Sequence, residues 1–350
     1  MKNKIEIIDF IKGYSIISIV LYHYCQGMGF PPLLAKAINF GGTGIHTFLF
    51  ASGFGLFLSH LKKPLGYGDF LKKRFTKIYI PYIIIVTLSA LIALWIPIYQ
   101  NNWNNYLSHV FFYKMFDKNL IGTYGYQLWF ISTIIQFYLI FPLIVKARQW
   151  LPGKNFLLAG LIISFAWACF FLFLHKEEER NWNSFFLMYL WEFMLGMYCA
   201  EIYLKKGIEF WKLKRSWLVA LTLSGLVLYS VLAILYGRVG RTFNDIPALF
   251  GYASLCILIY GLHIGPINRF ILFTAKISFS IFLVHFLVLK LVQSGCAALG
   301  ISSALIAASL SLLLCYLVSV PLQRFFDYLT GSMLTGSQIP SKATQGVSGQ

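Results

Sequence analysis

Residues 126–145 read YQLWFISTIIQFYLIFPLIV, a run without one Asp, Glu, Lys, Arg or His. An α-helix needs about 20 mostly apolar residues to cross the hydrocarbon of a bilayer, and this run supplies them. Comparable runs occur at 10–29, 44–61, 78–98, 155–174, 184–204, 216–236, 246–264, 277–295 and 299–322. A backbone in lipid must satisfy its own polar groups, so such runs are read as helices. The expectation is an all-α, polytopic integral membrane protein with about ten transmembrane helices. The stretch 104–116 is apolar but short and interrupted, and reads as an interfacial or re-entrant piece.

Composition agrees. Of 350 residues, 58% are hydrophobic and only 12% charged, whereas soluble domains carry roughly 25% charged residues. A soluble enzyme, a disulfide-stapled secreted module and a disordered chain are set aside on that ground. The net charge of +17 follows the connecting segments. Of the Lys and Arg residues, 20 fall on the face that holds both termini and 7 on the other. The positive-inside rule therefore predicts cytoplasmic termini, an even number of crossings, and no need for a nucleic-acid partner. Asp9 and Lys12 interrupt the first span, so it is not read as a cleaved signal peptide. The cysteines form no C-x-x-C pair and read as packing residues, with no metal site expected. Residues 1–325 are taken as one transmembrane domain and 326–350 as a short polar cytoplasmic tail.

Ionisable groups inside a span are costly and default to function. The first span carries Asp9, Lys12 and His23. Lys12 and His23 share one helix face, about 16 Å apart along the axis, and Asp9 can pair with Lys12. The blander alternative is that Lys12 snorkels to the interface and His23 bonds a neighbouring helix. His285, in a late span, lies at a comparable depth. Glu192 is a further candidate; its alternative is a protonated carboxyl bonded to backbone. The segment with Lys72, Lys73, Arg74 and Lys77 can meet phosphates, of a ligand or of lipid. Gly41-Gly42-Thr43-Gly44 and Ser52-Gly53-Phe54-Gly55 permit close approach of helices or of a ligand, and match neither a P-loop nor a dinucleotide fingerprint.

Taken in order, these residues resemble the membrane-bound acyltransferase 3 family, whose members carry an R-x10-H motif. Ile8-Asp9-Phe10-Ile11-Lys12-Gly13 followed by His23 is similar to its opening D-x-x-R-G…H. Gly41 through Phe54 resembles its G-x-x-G-V-x-x-F-F-x-x-S-G-F, and Arg74, Lys77 and Pro81 its R-x-x-R-I-x-P. Leu128-Trp129-Phe130 with Gln136-Phe137-Tyr138 and Phe141-Pro142, Glu192-Phe193 with Gly196-Met197, and Ser278 through His285 match later motifs. Lys12 and Lys77 stand where the family usually has Arg; Lys keeps the charge and loses the two-pronged fork. Ile134 stands where a polysaccharide-modifying branch often has Glu.

The resemblance implies a membrane-bound O-acyltransferase of the cell membrane. It would move an acyl group, by expectation acetyl, from cytoplasmic acyl-CoA to a hydroxyl of a cell-surface glycan, a lipid-linked saccharide or a related acceptor. No metal is implied. His23 would be the main catalytic group, as base toward the hydroxyl or as an acyl relay. Asp9, Lys12 and His285 would assist. Arg74, Lys72, Lys73 and Lys77 would contact CoA phosphates, with Ser52 a polar or packing contact near the donor. The competing class is a secondary transporter that uses the buried His, Lys and Glu for proton or substrate coupling. A third is an inactive scaffold or sensor of the same fold, suggested by Lys12.

Overall fold

The computed structural model describes residues 5–335 apart from 27, 208 and 210–212. Among the described residues there is no strand. The helices run α1 Glu6–Cys25, α2 Pro32–Gly41, α3 Gly44–Lys62, α4 Tyr67–Ile92, α5 Trp103–Val110, α6 Trp129–Trp150 and α7 Gly153–Phe173, then α8 Arg180–Asn183, α9 Leu190–Lys206, α10 Arg215–Leu235, α11 Gly237–Thr242, α12 Asp245–Gly261, α13 Gly265–Ala298 and α14 Ala304–Thr335. Each of the apolar runs named above overlaps one of them. Among the described residues, seven helical stretches are long and apolar enough to cross a membrane. The three other runs fall on α1, with Glu6, Asp9 and Lys12, and on α9 and α12, which are 17 residues each.

Helix starts differ from the sequence reading. Lys72, Lys73, Arg74 and Lys77 are expected in a loop, yet they lie on the first turns of α4. Likewise α13 begins at Gly265, so Arg269 and Lys276 sit on a helix. Long basic side chains allow this, because their stems lie along apolar surface while the charge reaches water. At the other end, α14 continues to Thr335, so the stretch expected to be a tail from 326 starts as helix; residues 336–350 lie outside the described residues. The short apolar piece near 104–116 is α5 followed by a 3-10 turn at Tyr113–Phe116.

Small residues bring the site-bearing helices together, which lets dispersion contacts act where the hydrophobic effect cannot. A Cβ on Gly53 of α3 would stand 2.1 Å from the Phe193 carbonyl oxygen of α9, and one on Gly196 of α9 would stand 2.1 Å from that of Phe50. Between α1 and α13, a Cβ on Gly13 would meet the Ile271 carbonyl oxygen at 2.1 Å. Ser15 on α1 and Thr47 on α3 share a buried hydrogen bond of 2.7 Å. α1 is thereby clasped between α3 and α13, and His23 rides on its last turn.

Candidate active site

His23 faces α13. Its ring centroid is 5.5 Å from that of His285, with the planes inclined by 27°. Phe286 closes the pair, 4.8 Å from His23 and 5.1 Å from His285. The His285 ring is oriented by its own helix: Nδ1–H donates to the carbonyls of Phe282 at 2.9 Å and Ile281 at 3.1 Å. That fixes the tautomer and leaves Nε2 as a bare acceptor. It is buried without a hydrogen-bond partner, as is Nδ1 of His23. Across the seam, the Tyr24 hydroxyl donates to the His285 carbonyl at 2.9 Å.

His23 lines a cavity of about 910 Å³. Near it the wall is aromatic, with Phe130, Phe282 and Phe286. Charged residues of the segments around α8 and α11 line it as well. There Arg238 pairs with Glu178 at 2.9 Å. Arg180 lies over the Trp129 ring at 4.7 Å and donates from Nε to the Tyr126 hydroxyl at 2.8 Å.

A second polar centre opens on the same cavity. His46 of α3 is 7% exposed, and its Nδ1 lies 2.7 Å from Glu192 Oε1 of α9. Its Nε2 lies 3.7 Å from Asp245 Oδ1, at the start of α12. Glu192 is fully buried, and its Oε2 has no hydrogen-bond partner. Ligand atoms of the three side chains lie within 4.8 Å of one another. The imidazole sits between the carboxylates and turns a different nitrogen to each. A single ion could take only one of those nitrogens, so the arrangement fits a hydrogen-bonded relay better than a metal cage.

Of the residues singled out in the sequence, His23 and Ser52 line the cavity, His285 stacks on His23, and Glu192 stands behind His46. Asp9 and Lys12 are half-buried toward the other end of α1 and do not line it. Lys72, Lys73, Arg74 and Lys77 do not line it either, although Ile78, next on α4, does. Arg74 is half-buried; its guanidinium lies 5.7 Å over the Phe70 ring and its Nε has no hydrogen-bond partner. The sequence reading missed His46 and Asp245. His46 carried the same signal as His23, an ionisable group within an apolar span. Asp245, at a helix start, carried none.

Searches of curated proteins and of solved structures return no match. Residues 5–320, which take in every helix that forms the cavity, match an acyltransferase domain. This multi-pass membrane protein belongs to the acyltransferase 3 family.

Proposed function

We propose that the protein is a membrane-bound O-acyltransferase of the cell membrane, with both termini in the cytoplasm. It moves an acyl group, acetyl in the simplest case, from cytoplasmic acyl-CoA to a hydroxyl of a cell-surface glycan, a lipid-linked saccharide or a similar acceptor. The observation that carries this reading is the pair of unpartnered imidazole nitrogens, His23 Nδ1 and His285 Nε2, beside a cavity large enough for two reacting groups. An alcohol attacks an acyl carbon poorly until its proton is removed, and imidazole is suited to removing a proton or to carrying the acyl group. The basic turn of α4, with Arg74, Lys72, Lys73 and Lys77, is the donor's phosphate contact. Ser52 borders the acyl chain, and Lys12 with Asp9 sets the charge at the donor end of α1.

The test is thioester cleavage by purified protein given labelled acetyl-CoA. Cleavage that disappears in folded His23→Ala supports the enzyme. Substrate uptake into proteoliposomes without acyl transfer would replace it with a transporter. Mass spectrometry of surface glycans and metabolites from a deletion strain and its parent then identifies acyl group and acceptor from a difference of one acyl unit.

A further inference from the structure

The cavity holds two imidazole centres in different surroundings. No carboxylate is paired with His23 or His285 among the described salt bridges. Their ring neighbours are aromatic, and the polar groups that reach His23 are Gln26 and the cationic Arg180, neither of them an acid. An imidazole that must attack a thioester carbon has to be neutral with a free lone pair, and His23 Nδ1 is buried with no hydrogen-bond partner. His46 is built the other way, with Glu192 on one edge at 2.7 Å and Asp245 on the other at 3.7 Å. A proton arriving at Nε2 makes an imidazolium flanked by two carboxylates, as a general base backed by an orienting acid requires. The gap to Asp245 exceeds a hydrogen bond, so the two groups are not locked to each other and a hydroxyl approaching from the cavity side can lie against both.

We infer that His46, oriented by Glu192, is the base that takes the acceptor hydroxyl's proton, and that Asp245 holds a neighbouring hydroxyl of a polyhydroxylated acceptor. His23 is then the acyl carrier. In the first step a His23 nitrogen bonds the acyl carbon, the carbon–sulfur bond breaks, and the thiolate leaves with the imidazole proton as CoA thiol. In the second the acceptor O–H breaks and its oxygen bonds the acyl carbon. The carbon–nitrogen bond to His23 breaks, and the proton held on His46 returns to His23. The sum is one thioester and one alcohol giving one ester and one thiol.

This assignment rests on the acyltransferase reading, and the experiment separates the two. Protein is reconstituted in vesicles of phosphatidylethanolamine and phosphatidylglycerol, or in vesicles of the source cells' own lipid and glycolipid extract, and given [1-14C]acetyl-CoA. Wild-type protein releases about one equivalent of CoA and keeps the label in the first vesicles; in the extract it turns over. His46→Asn keeps that burst within about twofold while turnover in the extract falls about 100-fold. Free imidazole restores part of it in His46→Gly, which a merely structural loss would not allow. Glu192→Gln, tested on its own in case the His46 variants do not fold, keeps the burst and loses about tenfold in turnover. Turnover in His46→Asn equal to wild type overturns the assignment, as does joint loss of burst and turnover in folded variants. Absence of CoA release from the wild type would instead remove the acyltransferase reading beneath it.

Discussion

His285 reaches His23 with its tautomer already fixed: Nδ1–H is held by the Phe282 carbonyl at 2.9 Å, so the nitrogen left free is Nε2. The two rings, 5.5 Å apart, present two bare nitrogens and no acid. Exchanging His285 for Gln keeps a polar side chain and removes the ring acceptor. Thioester cleavage is expected to fall about 100-fold with little change in melting temperature. Cleavage at the wild-type rate would remove His285 from the chemistry and leave it a helix-packing residue.

The α3–α9 seam makes a prediction about stability. Gly53 and Gly196 each face a carbonyl oxygen 2.1 Å from where a Cβ would stand, and backbone cannot swing aside as a side chain can. Ala at either position forces the helices apart and is expected to destabilise by about 1–3 kcal/mol. The control is Gly55 on the same helix, which has nothing within 4 Å of that point. Gly55→Ala should be neutral or slightly stabilising, since Ala is the better helix former. Melting of the three variants in detergent decides it; equal melting temperatures would mean that the seam is not close-packed. The seam also carries His46 and Glu192, so the two tight variants should lose acyl transfer as well.

The α4 basic turn bears on the donor. Arg74 is half-buried with an unpartnered Nε, a guanidinium poised for an anion rather than fully solvated. Under the proposed function, Arg74→Ala raises KM for acetyl-CoA about tenfold and changes kcat little, because a phosphate contact remote from the thioester stabilises ground and transition states alike. Steady-state kinetics with acetyl-CoA checks this. An unchanged KM would move the donor's phosphates elsewhere.

Much of this was readable in the chain. Runs such as 126–145 exposed the helices because lipid leaves the backbone no alternative. The same rule made His23 and His285 conspicuous, and Glu192 with them. Helix starts were harder: Lys72 through Lys77 read as a loop by charge, yet a basic side chain can stand on a helix and reach outward. The link from His46 to Glu192 and Asp245 joins residues far apart in sequence on three helices, and no local spacing encodes such a contact. Glu192 was visible alone, without the imidazole that gives it a role. Lys114 stands in the short, interrupted stretch 104–116, where nothing local signals that its side chain is fully buried.

Lys114 yields the last prediction. It lies in the 3-10 turn Tyr113–Phe116, outside the membrane-spanning helices, with Nζ unpartnered. Burial pushes its amine down from 10.5 to about 7. Nearby His109 is locked by the Tyr82 hydroxyl at 2.7 Å and Thr123 Oγ1 at 2.7 Å. Burial, and then the neighbouring Lys114 ammonium, hold it well below the usual histidine range, so it stays neutral and adds no second cation. Between pH 7 and 10.5 the unfolded lysine keeps a proton that the folded one has lost. Stability must therefore rise with pH across that window, by at most about 1.4 kcal/mol per unit. Below it both states are protonated and the buried charge carries its full penalty. Lys114→Met removes that penalty. The variant is expected to melt above the wild type at pH 6, with the gap closing toward pH 9. A gap that stays constant or widens as pH rises would show that the ammonium is solvated or paired in the folded protein.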